Sequence, residues 1–145
     1  KDTFVMVAEF EVDSSVETFG FHVRKSSTQQ TTIAYNPKTQ ELIVDRSNSG
    51  QVDFKDGFAS TYSVPLQPKD GRIRFRIFVD RCSIEVFDND GLASISALIF
   101  PAEGQLGLEV FSSGASVTLN VLTVYKLQPV FSQVDDLNSE AKVTL

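Results

Sequence analysis

Apolar and polar residues alternate along this chain with a period of two almost from end to end, and that pattern excludes most folds. A period of two sends successive side chains to opposite faces of a strand, whereas a surface helix repeats its apolar positions every three to four residues. Phe4, Met6, Ala8, Phe10 and Val12 form the first row, and Phe19, Phe21 and Val23 the second. Thr31, Ile33 and Tyr35 follow, then Leu42 and Val44. Residues 52–54 read as a short edge strand, and residues 58–71 as a long connection punctuated by Pro65, Pro68 and Asp70-Gly71. The clearest strand comes next: Ile73, Phe75, Ile77 and Val79 face one way, and Arg72, Arg74 and Arg76 the other. Further strands are expected over 84–87, 93–99, 106–110 and 117–127. Turn signals separate them, including Asn36-Pro37-Lys38-Thr39 and Asp88-Asn89-Asp90-Gly91, where Gly91 suits a left-handed position. No segment reads convincingly as a helix. The fold class expected is all-β, an antiparallel two-sheet β-sandwich of about ten strands.

A chain of 145 residues fits one domain with a sizeable core. The sandwich is assigned to residues 1–127. Residues 128–145 form a more polar, acidic tail, either docked as a strand near 143–145, helical near 135–142, or mobile. Twelve Phe and no Trp suit an inter-sheet core packed with rings. The net charge of −6 argues against nucleic acid or an anionic membrane as partner. One Cys and one His leave no internal disulfide and no Cys- or His-rich metal cluster, so neither metal nor cofactor is expected. No apolar run approaches the ~20 residues of a membrane-spanning helix. The chain opens on Lys1 in a strand-like pattern and reads as a piece of something larger.

Few residues carry chemistry. Asp80 and Glu85 flank one hairpin, with Asp45 upstream, and a carboxylate pair is what glycoside hydrolysis needs. Yet Asp80 stands where a turn wants an acceptor for its own backbone, and Glu85 is placed to pair with Arg81 or Arg74. Ser47-Asn48-Ser49-Gly50 lacks the Lys and the helix of a phosphate-binding loop. His22 falls on the polar side of its strand, exposed or in a simple hydrogen bond. Cys82 reads as a small, buried or half-buried turn residue. Two sets remain as candidate contacts for a sugar or a partner. The Arg72, Arg74 and Arg76 stripe could fork onto carboxylates, or pair with Glu9, Glu11 or Glu85 in its own sheet. Tyr35, Phe58 and Tyr62, in or near loops, could stack on sugar rings or simply pack.

Two strings are more specific. One is Val44-Asp45-Arg46-Ser47-Asn48-Ser49-Gly50; the other runs from Phe78-Val79-Asp80-Arg81-Cys82-Ser83-Ile84-Glu85-Val86-Phe87 through Asn89-Asp90-Gly91 to Ile99-Phe100-Pro101. Their order and spacing resemble the C-terminal module of glycoside hydrolase family 32, the invertases, inulinases, levanases and related fructosidases. Cys82 departs from the small polar residue usual in that family's turn. The resemblance implies that catalysis belongs to a separate five-bladed propeller, whose Trp-Met-Asn-Asp-Pro-Asn-Gly, Arg-Asp-Pro and Glu-Cys signatures are missing here. No catalytic residue carries over. The implied role is a non-catalytic module that stabilises the catalytic propeller of its parent enzyme and borders its cleft or a dimer interface. The alternative is a lectin-like module that binds fructan oligosaccharide. An extracellular or periplasmic setting is implied in the same way.

Overall fold

The computed structural model describes residues 3–88, 91, 93–127 and the backbone of 142–144. Ten strands follow one another through the main body: β1 (Phe4–Glu11), β2 (Thr18–Lys25), β3 (Thr31–Asn36), β4 (Glu41–Asp45), β5 (Thr61–Pro65), β6 (Arg72–Val79), β7 (Ser83–Phe87), β8 (Ser94–Leu98), β9 (Gly107–Ser113) and β10 (Thr118–Lys126). An eleventh, β11 (Lys142–Thr144), lies antiparallel along β10. The rest of the tail assigned to 128–145 falls outside the described residues.

Two antiparallel sheets stack face to face. The six-stranded sheet runs β11-β10-β1-β6-β7-β8 and the five-stranded sheet β5-β4-β3-β2-β9. Register follows from alternation. β1 pairs with β6 so that Met6 faces Ile77, Ala8 faces Phe75 and Phe10 faces Ile73, all buried. A slip of one residue would turn this row to solvent and Arg72, Arg74 and Arg76 to the core, which is why the register is strongly fixed. The five-stranded sheet answers with Phe19, Phe21, Val23, Ile33, Tyr35, Leu42 and Val44, all fully buried. Rings bridge the sheets: Phe10 lies 4.7 Å from Phe19, 5.6 Å from Phe21 and 5.9 Å from Phe75, centroid to centroid. These tilted and edge-on geometries suit the ring quadrupole.

The chain departs from the sequence reading in the long connection. Residues 52–54 form no strand. The edge strand beside β4 is Thr61–Pro65, inside the segment read as a connection. Its Pro65 sits at the strand end of a sheet edge, where a missing N–H costs nothing. At the other edge, Leu108 and Val110 of β9 share the inner face with Val23 and Phe21 of β2, yet remain 37% and 38% exposed. An edge strand has packing on one flank only.

Phe75→Ala and Ile77→Ala are each expected to destabilise the chain by about 2–5 kcal/mol in urea denaturation. Ser96→Ala, on the outer face of β8, should stay within about 0.5 kcal/mol. Equal effects at all three positions would mean that the inner and outer faces are reversed.

Candidate functional site

The first candidate site is the meeting point of the two distinctive strings. Asp45 ends β4, and its Oδ1 accepts from Ser47 N at 2.8 Å, turning the chain. Arg46 then points inward and is 9% exposed. Its Nη1 donates to Leu98 O at 2.9 Å, its Nη2 to Tyr62 Oη at 2.6 Å and its Nε to Ser60 Oγ at 3.4 Å. The guanidinium carbon lies 3.9 Å from the Phe58 ring centroid and 5.0 Å from that of Tyr62. Among the described residues Arg46 has no carboxylate partner. Carbonyl, hydroxyl and ring faces compensate its desolvation instead.

This arginine ties the β4–β5 side of one sheet to β8 of the other. Gln51 N donates to Phe100 O at 2.9 Å, and Gln105 Nε2 to Ser49 O at 3.2 Å. Gly50 has φ +140°, and a Cβ there would stand 2.3 Å from Phe100 O. The glycine is required both by its backbone angle and by that close approach. So the Ser-rich loop serves to bring the end of β4 against the segment that follows β8. Around it Phe54, Phe58 and Phe100 form a ring cluster with centroids 4.7, 5.2 and 5.6 Å apart. Phe54 is 53% exposed, Leu98 55%, Tyr62 40% and Phe100 38%. Phe58 itself is buried.

The second candidate site is the outer face of the six-stranded sheet. Here Arg74 donates from Nε to Glu9 Oε1 at 2.6 Å, across the β1–β6 pair. Arg72 stands 3.9 Å from Glu9 Oε2, and Asn120 Nδ2 donates to the same oxygen at 3.2 Å. Glu9 is buried, and the Arg74 hydrogen bond, foremost among these contacts, holds its carboxyl below the usual range. Arg76 has no hydrogen-bond or ion-pair partner among the described residues. It stands over a concavity of about 810 Å³ walled by Val7, Phe78, Phe87 and Val121, with Arg74 beside it. Phe78 and Phe87 meet edge to face at 5.8 Å.

The remaining candidates are placed plainly. Tyr35 is fully buried and donates from its hydroxyl to Leu66 O at 2.8 Å, so it offers no ring face to a sugar; burial pushes its phenol up to about 12. Asp80 Oδ1 accepts from Arg81 N and from Thr3 Oγ1, and these bonds hold its carboxyl down. Glu85 is exposed and pairs with neither Arg81 nor Arg74, whose hydrogen bond goes to Glu9. His22 bonds Thr32 Oγ1 through Nδ1 at 3.0 Å and stacks on Phe111 at 4.2 Å; burial lowers its pKa against the pull of Glu109. Cys82 is exposed, because its hairpin projects from the sandwich end. The ring cluster of Phe54 and Phe100 escaped the sequence reading. Phe100 lies far along the chain from Phe54, and the long-range contacts of Arg46, Gly50 and Gln51 with residues 98–100 join them.

Residues 1–126 match the model described as glycosyl hydrolases family 32 C terminal. A levanase of Bacillus subtilis is 39% identical over 132 residues, which cover 90% of this chain and 20% of that protein. An extracellular exo-inulinase of Aspergillus awamori is 35% identical over 129 residues, covering 87% of this chain and 24% of that protein. The crystal structure of exo-inulinase from Aspergillus awamori superposes with a TM-score of 0.83 at 34% identity, covering 88% of this chain and 25% of the other. This chain therefore spans about a quarter or less of the relatives it matches.

Two outcomes are expected from these sites. Gly50→Ala should destabilise by more than about 2 kcal/mol, since a backbone oxygen has to move; Gly91→Ala, at φ +68° with open space around it, should cost about 1 kcal/mol. Chemical denaturation of both variants checks this. The second concerns pH. A carboxylate whose folded pKa is depressed adds stability above its unfolded value, near 4.3 for Glu, and loses it as pH falls through the folded pKa. Arg74→Met should therefore destabilise at pH 7 and shrink towards neutrality near pH 3. A loss independent of pH would show that Arg74 acts by packing alone.

Proposed function

The chain belongs to the glycosyl hydrolase family 32 C-terminal modules, and from that premise we propose that it is the non-catalytic sandwich of a β-fructosidase, docked on the catalytic portion of its parent. The parent would hydrolyse fructan or sucrose outside the cell, in keeping with relatives named levanase and extracellular exo-inulinase. The observation that carries the docking is the exposed apolar patch of Phe54, Tyr62, Leu98 and Phe100. Exposed rings clustered at Phe54 and Phe100, with Tyr62 across Arg46 from Phe58, exceed the scattered exposure normal for a free surface.

The chemistry of the patch supports a protein partner rather than a sugar. A sugar platform needs a ring face with free donors and acceptors converging on it. Here the polar groups beneath the rings are engaged: all three donor nitrogens of Arg46 have acceptors, and Tyr62 Oη receives one of them. What is left at the surface is mainly apolar, as at the core of a stable protein interface.

The chain alone should release no fructose from sucrose, inulin or levan. Added to the remainder of its parent, it should bind and slow the thermal inactivation of that portion. Phe54→Ser with Phe100→Ser should weaken the association by about tenfold or more, in line with aromatic anchors at interfaces. Unchanged binding by the double variant would move the docking face elsewhere. No binding by the unaltered chain would remove the supporting role.

A further inference from the structure

We propose that the open edge of β8 accepts an added strand, an extended and uncharged segment of the parent's catalytic portion pairing over Ser94–Leu98. This deepens the docking reading above and rests on it for the identity of the partner. β8 ends the six-stranded sheet and pairs with β7 on one side only. In an antiparallel ladder, alternate residues turn their N–H and C=O to opposite sides. Asp88 N donates to Ala93 O at 3.1 Å and Ile99 N to Cys82 O at 2.9 Å, both towards the β7 side. Ala93, Ile95, Ala97 and Ile99 therefore address β7, while Ser94, Ser96 and Leu98 turn their backbone groups to the open edge.

The downstream part of that edge is already used by the chain itself. Leu98 O accepts from Arg46 Nη1 at 2.9 Å, and Phe100 O from Gln51 N at 2.9 Å. Residues 46–51 thus line the edge as far as Leu98 and go no further. Upstream, the N–H and C=O of Ser94 and Ser96 and the N–H of Leu98 have no partner among the described residues, and all three residues are exposed. Sheet edges are usually shielded by Pro or by charge. β5 ends on Pro65, and β9 carries Glu109 in an ion pair with Lys25. From Ala93 to Phe100 the sequence has neither a Pro nor a charged residue.

Two observations identify the occupant. The open edge runs into the exposed apolar patch, because Leu98, 55% exposed, belongs to both. A partner seated on the patch meets Ser96 and Ser94 next. On the inner face, Ile95 and Ala97 are 7% and 6% exposed. Side chains of an added strand on that face would be buried beside them, and β8 offers no charge to pair with one of theirs. The segment therefore carries apolar residues at alternate positions, with main-chain bonds supplying the attachment.

The test is residue-resolved amide exchange on the isotope-labelled 145-residue chain, alone and with the remainder of its parent. On association, the amides of Ser94 and Ser96 should slow by about tenfold or more, while those of Ile95 and Ala97, already directed to β7, change less. That alternation separates strand pairing from side-chain packing. Ser96→Pro removes an N–H that β7 does not use and sets a ring on the edge. It should weaken association about tenfold and leave the melting temperature nearly unchanged. Ser94→Pro, at the first residue of the strand, repeats the test if Ser96→Pro fails to fold. Association without slowing at Ser94 and Ser96, or full binding by a folded Pro variant, would overturn strand addition and leave the docking patch standing. Slowing in the chain alone that grows with its concentration would give the edge to a second copy and overturn the proposal. Failure of the unaltered chain to associate would remove both readings.

Discussion

The buried guanidinium of Arg46 is the constraint around which one end of this sandwich is arranged. A charge removed from water without a carboxylate partner needs an acceptor for each donor nitrogen and a polarisable surface beside it. Leu98 O, Tyr62 Oη and Ser60 Oγ supply the first, and the Phe58 ring the second. Meeting these demands brings together β4, β5, the loop of residues 51–60 and the end of β8. Elsewhere the two sheets meet mainly through side-chain packing, which is non-directional, with a further directional link from Arg24 Nη2 to Asp80 O at 2.9 Å. Arg46 adds directional bonds, and Gly50 allows the backbones to close on them.

How much of this was legible follows from the kind of signal each element leaves. β6 and β8 alternate cleanly, because one face meets the ring-packed core and the other meets solvent. β5 was missed since none of its residues is buried, so Thr61–Pro65 carries no apolar row, and Pro65 itself argued for a connection. Tyr35 stands beside the Asn36 turn, which left stacking on a sugar and simple packing as alternatives; its place in the Ile33, Tyr35 row puts it in the core, with Leu66 O to satisfy the hydroxyl. The strings around Arg46 and Phe100 were recognisable as a pair, but their reason was hidden. The Gly50–Phe100 contact is a long-range approach that no local pattern records.

The outer surfaces divide by what their polar groups have left to give. At the Arg46 end the donors point inward and are engaged, so the exposed remainder is apolar. On the outer face of the six-stranded sheet, the arginines stand outward over rings and aliphatic side chains. Glu9 anchors Arg72 and Arg74, while Arg76 has no hydrogen-bond or ion-pair partner among the described residues. Cross-strand pairing explains the difference. Glu9 lies directly opposite Arg74, whereas Arg76 lies opposite Val7 and Phe87. One register thus produces, among the described residues, a tied arginine and an unpaired one on a single strand.

The most direct test of the docking assignment is amide hydrogen exchange on the intact parent enzyme, compared with this chain alone. Slower exchange is expected in the whole enzyme at residues 54–60 and 98–101, with little change over Arg74–Phe78 on the outer face. Protection concentrated on the outer face, or no protection anywhere in the sandwich, would contradict the account.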